Sequence, residues 1–347
     1  MREGCFAISV RKRRHPVGRH TRCIARTAFI LGGTGQIGRA AARALLGAGW
    51  EVTVGARGRV DVPGARFAEV DRRSGLELPG DFDALLDCVA FTADDARQLL
   101  GLAGRIGTVA VISSASVYVD DEGHTVDEAG ETGFPRFPLP IGEDQPTVAP
   151  GDRTYSTRKR AVELALIEQD ALAATVLRPC AIHGPHARGH VREWYFVKRA
   201  EDRRPCVLLA YHGESRFHTT SVANLAELVR LAFERPGTRV LNCGDPDPPT
   251  TLEISRAIAA ITGHERIEYL LDEAPEAARN PWAAPHPLVV DMAAAQRELG
   301  YRPVVSYPDA LERTVAWLLA EHPPLGDYMS SFFDYAAEDE YVRGLAA

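Results

Sequence analysis

Hydrophobic positions along the chain fall into two recurring patterns. Short runs dominated by apolar residues occupy 28–31, 50–57, 66–71, 82–90, 108–114 and 173–180. Runs of that length and composition predict strands buried on both faces. Between them, apolar residues recur at helical spacing over 40–46, 93–102 and 153–169. Strand and helix in alternation predict an α/β fold, a doubly wound parallel sheet with right-handed crossovers. In the second half, helical periodicity covers 191–200, 222–233, 252–261, 293–299 and 307–319, with strands at 238–242 and 267–271. Residues 119–151 break both patterns: acidic residues, Gly and Pro predict a long surface loop, a feature usually functional or disordered.

The first strand runs into three glycines spaced three apart, Gly32, Gly35 and Gly38, and an Ala-rich helix follows. Strand, Gly-rich turn and helix in this order form the context of a dinucleotide-binding unit. One glycine permits the tight turn, one the approach of a pyrophosphate, and one the close packing of helix on strand. The helix N-terminus at Gln36 and Ile37 offers free N–H groups and a positive dipole end to phosphates. The spacing is G-x-x-G-x-x-G rather than the G-x-G-x-x-G of many dehydrogenases.

Tyr155 and Lys159 lie four apart on a predicted helix and share a face. A phenol is a poor acid–base group at neutral pH, and an ammonium held close is expected to lower its pKa. The chain carries only three lysines, Lys12, Lys159 and Lys198, against 37 arginines, so a lysine here is a selective choice. Ser113-Ser114-Ala115-Ser116-Val117-Tyr118 ends the fifth strand, where doubly wound sheets place their ligands.

With these segments the sequence resembles the extended short-chain dehydrogenases/reductases, the NAD-dependent epimerase/dehydratase family. Matching segments are Gly32 to Gly38, Asp71-Arg72, Ser114 to Tyr118, Tyr155 to Lys159, and Leu177-Arg178-Pro179 with His183-Gly184-Pro185. Val222 to Ala226 and Glu298 to Pro303 also fit, so the resemblance spans roughly residues 28–320. It implies a Rossmann-like domain over 28–182, returning at about 216–245, and a smaller, discontinuous C-terminal substrate domain over 183–215 and 246–347. It further implies that Ser114 bonds the substrate oxygen, Tyr155 transfers the proton, and Lys159 holds the nicotinamide ribose. Asp71 contacts adenine, Ala90 borders the cofactor, and Ser116 and Arg216 border the substrate. Ser114 is taken over Ser113 because it lies two before Ser116-Val117-Tyr118.

Cofactor choice follows from the residues themselves. An NAD site needs a carboxylate at the end of the second strand for the ribose 2′-hydroxyl. Ala56 stands there instead, followed by Arg57 and Arg59, and Arg39 follows the last glycine. These guanidinium groups suit a 2′-phosphate, so NADP(H) is expected over NAD(H). Sugar 4,6-dehydratases of the resembled family carry Asp-Glu where Ala115-Ser116 stand, which removes the carboxylates of an elimination. Arg216 falls one residue out of register with the arginine that grips a nucleotide diphosphate. The expected activity is hydride transfer between NADPH and a carbonyl or alcohol of a small molecule, with a nucleotide-sugar epimerase as the alternative. A dinucleotide-sensing protein without activity is the reading from another class, which the full Ser114–Tyr155–Lys159 set disfavours.

Composition narrows this further. The net charge of −7 divides into +7 over residues 1–27 and −14 over the rest. An acidic body argues against nucleic acid as a partner. The basic arm, 1–27, reads as a disordered extension, since its apolar piece precedes its arginines, opposite to a secretory signal. No apolar run is long enough for a membrane span. Six scattered cysteines without a C-x-x-C pair read as small buried hydrophobes of a cytoplasmic protein rather than a metal site. Dimerisation through helices is common in the resembled family, so a homodimer is a further expectation.

Overall fold

The computed structural model describes residues 25–187 and 191–345. Most of the basic arm lies outside the described residues. Its last residues belong to the fold: the Thr27 N–H and hydroxyl donate to Asp83 at 2.7 and 3.0 Å. The Arg26 guanidinium stacks 4.4 Å from the Trp50 ring centroid. Arg26 and Thr27, expected as part of the extension, thus pack on the fold.

The first half alternates as the pattern predicts: β1 (Thr27–Leu31), α1 (Gln36–Gly47), β2 (Glu51–Ala56), β3 (Arg66–Glu69), β4 (Phe82–Asp87), α2 (Ala93–Leu100) and β5 (Ile106–Ile112). After the long loop, which contains only the short helix α3 (Ala129–Thr132) and a 3-10 turn at Ala115–Val117, come α4 (Tyr155–Ile167) and β6 (Ala173–Pro179). The sheet has seven strands in the order β3-β2-β1-β4-β5-β6-β10, all parallel, where β10 is Arg239–Cys243. Strand order reverses between β1 and β4, which opens a crevice at their C-terminal ends. Residues Ala28, Phe29 and Ile30 have no exposure at all, as a central strand covered on both faces requires. One covering layer holds α1, α6 (Val222–Glu234) and α8 (Ala293–Leu299); the other holds α2 and α4.

The remaining elements gather around a separate apolar cluster. It joins α5 (Trp194–Glu201), β8 (Cys206–Leu209), α7 (Thr251–Thr262) and α9 (Tyr307–Glu321), with Trp194, Tyr195, Trp282 and Leu311 buried at its centre. Three of the short strands here lie outside the expected elements. The predicted run to Cys180 stops at Pro179, and Ala181–His183 forms β7, paired with β9 (Thr219–Ser221). The third, β8, pairs with β11 (Ile267–Leu270). Three- and four-residue strands carry too little periodicity to be read, and the Thr219-Thr220-Ser221 strand is polar yet buried.

The acidic, aromatic tail forms α10 (Asp327–Ser330) and α11 (Tyr335–Leu345) and docks on α5. The buried Arg199 side chain pairs with Glu338, donates to Phe332 O at 2.9 Å and lies 3.5 Å from the Tyr195 ring centroid.

Candidate active site

The turn after β1 is shaped by what glycine lacks. Gly32 adopts φ +79°, a left-handed conformation that side chains rarely take. A Cβ on Gly38 would lie 2.5 Å from Gly33 Cα and 2.6 Å from Gly32 O, so only glycine lets α1 approach the turn this closely. At the start of α1, Gly35 is the N-cap, no side chain caps the helix, and its first turn has no acid. By contrast Thr154, Ser221, Thr250 and Ser306 cap α4, α6, α7 and α9 through their side chains. The free N–H groups of α1 thus face an open turn, the arrangement a pyrophosphate fits. Gln36 donates to Gly184 O at 2.9 Å and ties this turn to the segment after β7, while Ile37 packs on the core.

Beside this turn lies a cavity of about 580 Å³, walled by Ala56, Arg57, Arg59, Asp71, Arg73 and Val89 among others. Its size and its place at the switch point suit an adenosine moiety. Asp71 is engaged by its own neighbour: Arg73 donates to it at 2.6 and 3.0 Å and holds its carboxyl down at about 2. Arg72, matched as a pair with Asp71 in sequence, turns inward to the buried Asp87 at 2.7 Å and to Asp95 at 2.9 Å. Arg39 is not on this wall. Its Nε donates to Thr34 O at 3.0 Å, and its side chain borders a separate cavity with Arg43 and His186. The cations of this cavity are therefore Arg57, Arg59 and Arg73, with Arg72 on the same wall but turned inward; Arg73 was missed in the sequence.

The ends of β5 and β6 position the polar site. Ser113 donates to the buried Glu163 at 2.6 Å, and Glu163 is paired with Arg178 at 2.6 Å, so Ser113 is used internally. Ser114 is half-buried and lies against the Tyr155 phenol, where its hydroxyl favours the ionised form. Tyr155 is 44% exposed, with its ring 5.7 Å from that of Phe91. Lys159 is buried and donates to Ala90 O at 2.8 Å and Ile112 O at 2.9 Å. Two of its three N–H bonds are thus fixed, which leaves one for a ligand. Burial pushes the Lys159 pKa down to about 8, against the pull of Asp87 and other acids.

The expected effect of Lys159 on the phenol is corrected here. The ammonium lies 5.7 Å from the Tyr155 ring centroid and is committed to carbonyls. Burial raises the Tyr155 pKa above its ordinary value, Ser114 opposes the rise, and Asp127 adds to it. Asp127 comes from the long loop, and its Oδ2 accepts the Ser156 N–H at 2.7 Å, which ties the loop to the start of α4. Ser116 bonds Ser114 at 2.9 Å. Arg216 donates to Pro248 O, and its own backbone O accepts from Leu288 N–H at 2.8 Å. A different arginine, Arg192, lies 4.0 Å from the Phe217 ring centroid and donates to Pro281 O at 2.6 Å. Among the described residues it has no carboxylate partner. Neither Asp127 nor Arg192 had a local signal, because each meets its neighbours only through the fold.

No protein-family model and no curated protein matches the sequence. Solved structures match its fold. The epimerase Mth375 from Methanothermobacter thermautotrophicus aligns with TM-score 0.64 and 17% identity, over 86% of this chain and 93% of that one. UDP-N-acetylglucosamine 4-epimerase from Methanobrevibacter ruminantium M1, solved with UDP-N-acetylmuramic acid, gives 0.66 and 16%, over 86% and 99%. TunA, an NAD-dependent NDP-hexosamine 5,6-dehydratase of tunicamycin biosynthesis, gives 0.62 and 19%, over 85% and 98%. The chain thus shares the fold of these epimerases and this dehydratase.

Proposed function

We propose that the protein is a nicotinamide-dinucleotide enzyme that transfers hydride at a secondary alcohol or carbonyl carbon, with Ser114, Tyr155 and Lys159 as catalytic residues. The observation that carries this is the meeting of Ser114 and Tyr155 above Lys159, beside the uncapped, glycine-lined start of α1. The bound dinucleotide would supply or accept the hydride. The Tyr155 phenol, whose pKa is raised further by desolvation of its hydroxyl end, gives its proton to a carbonyl oxygen. The Ser114 hydroxyl donates to the same oxygen. Lys159, charged below about pH 8, offers its remaining N–H to a ribose hydroxyl. Residues 28–182 with the return at 216–245 would hold the cofactor, and the remaining segments the substrate.

The reaction class with more support is nucleotide-sugar epimerisation. Solved proteins of this fold, matched over nearly their whole length, are described as nucleotide-sugar epimerases or dehydratases. Ala115 and Ser116 leave no carboxylates beside Ser114 for elimination, which favours epimerisation among these. Net carbonyl reduction by NADPH is the second reading, favoured by Ala56 and the Arg57–Arg59–Arg73 wall of the adenosine cavity. In that reading NADP(H) is preferred over NAD(H) through the 2′-phosphate. No helix among the described residues is long and apolar enough to cross a membrane, and free cysteines suit a reducing, cytoplasmic setting. A homodimer is proposed on the resemblance alone.

Purified protein incubated with UDP-glucose and with carbonyl compounds, each with NAD(H) and NADP(H), separates the two. Epimerisation converts the sugar with no net change in cofactor absorbance. Reduction consumes one NADPH per carbonyl. Failure to bind either dinucleotide would sink the proposal as a whole.

A further inference from the structure

The geometry points to Ser116 and Ser156 as positioning residues that fix the Ser114 hydroxyl as a one-way hydrogen-bond donor toward the reacting oxygen. This rests on the hydride-transfer reading of the same site. Ser114 Oγ accepts from the Ser116 N–H at 3.1 Å and is bonded to Ser116 Oγ at 2.9 Å. Ser116 Oγ is bonded to Ser156 Oγ at 2.8 Å. Hydroxyls both donate and accept, so the chain could in principle run either way.

Burial decides the direction. Ser156 has no exposure, and among the described residues its hydroxyl has no partner other than Ser116. If Ser116 donated to Ser156, the Ser156 proton would be buried without an acceptor, at the full cost of desolvation. With Ser156 donating to Ser116 and Ser116 donating to Ser114, every proton is placed. Ser114 then accepts twice, from a hydroxyl and a backbone N–H, and both its lone pairs are filled. Only its proton remains, and it faces the Tyr155 phenol and the cleft.

A chain polarised this way strengthens its last donor. That donor stabilises negative charge on a substrate oxygen or on the Tyr155 phenolate, and it cannot act as a base. The Ser156 end is anchored, since Asp127 Oδ2 holds the Ser156 N–H at 2.7 Å. Asp127 therefore sets the position of the chain while its own charge opposes phenol ionisation.

The test needs no natural substrate. Tyrosinate absorbance of the wild type minus that of Tyr155→Phe isolates the Tyr155 titration. Ser116→Ala and Ser156→Ala should each move it to higher pH, and Ser116→Thr, which keeps the hydroxyl, should not. A merely structural role would lower the thermal midpoint without moving that titration. With UDP-glucose or phenanthrenequinone as substrate, both Ala variants should lose kcat by about threefold to tenfold at little change in KM. Folded Ala variants that titrate as the wild type does would overturn the inference. If Ser156→Ala does not fold, Ser116→Ala, whose side chain is partly exposed, decides alone. A shifted titration in a protein that turns over neither substrate would uphold the chain and count against hydride transfer.

Discussion

Lys159 makes a stability prediction whose size follows from its surroundings. Its side chain is buried, and its pKa falls from the ordinary lysine value of 10.5 to about 8. Between these values the unfolded chain binds a proton that the folded chain has released. Stability therefore rises with pH across this window, and below pH 8 the folded state bears the cost of a buried ammonium. A fall from 10.5 to about 8 corresponds to roughly 3 kcal/mol in full. From pH 7 to pH 9.5 the titration yields about 2 kcal/mol of it.

Lys159→Met removes the titration and keeps an apolar stem of similar length. At pH 7 it relieves the charge but leaves Ala90 O and Ile112 O without their donor. Each unmatched buried carbonyl costs about 1–3 kcal/mol, so the loss of both offsets or outweighs the relief of the charge there. The informative quantity is the difference in unfolding free energy between wild type and variant, measured by urea denaturation without cofactor at several pH values. Groups titrating elsewhere cancel in that difference. The wild type should gain about 2 kcal/mol on the variant between pH 7 and pH 9.5. A difference that stays flat within about 0.5 kcal/mol would refute the buried-ammonium account.

Tyr155→Phe should keep the fold and dinucleotide affinity while turnover falls by about 10²–10⁴-fold, read by steady-state kinetics beside a thermal melt. Arg57→Ala and Arg73→Ala should each weaken NADP(H) binding by about tenfold and leave NAD(H) almost unchanged, by fluorescence titration; equal losses for both cofactors would remove the 2′-phosphate from the account. Gly38→Ala forces backbone apart at the α1 turn, and should cost about 1–3 kcal/mol in urea together with dinucleotide affinity. Glu338→Ala strands the buried Arg199 charge, and should cost about 3–5 kcal/mol if the tail unfolds with the body; limited proteolysis that trims α11 alone would show separate unfolding instead.

The parts legible in the sequence are those whose physics is local. Strands covered on both faces must be apolar throughout, so β1 and β5 announce themselves. A Gly-rich turn between strand and helix has few other uses. Elements defined by remote partners were not legible. The β10 strand was expected, but its place beside β6 comes from pairing with residues more than sixty positions away. Thr219-Thr220-Ser221 looks like a loop because it is polar, yet the fold buries it, and Thr220 finds its partners tertiarily: it donates to Cys243 O at 2.7 Å and accepts from Cys180 N–H at 3.0 Å.

The site shows the same division at finer scale. Helical spacing brings Tyr155 and Lys159 to one face, but spacing fixes Cβ positions and not the ends of long side chains. The ammonium goes to the two nearest carbonyls, Ala90 O and Ile112 O, which no local pattern could reveal. Arg39 fails for the same reason: it follows the last glycine in sequence, yet its side chain runs back to Thr34 and borders a cavity other than the one walled by Arg57 and Arg59. Arg73 went unread although its partner is only two residues away: Asp71 places it on the cavity wall. What opposes burial at the phenol is then not the nearest charge along the helix. It is the hydroxyl of Ser114, contributed by another element, and a donor of one proton can favour a phenolate without adding charge to the cleft.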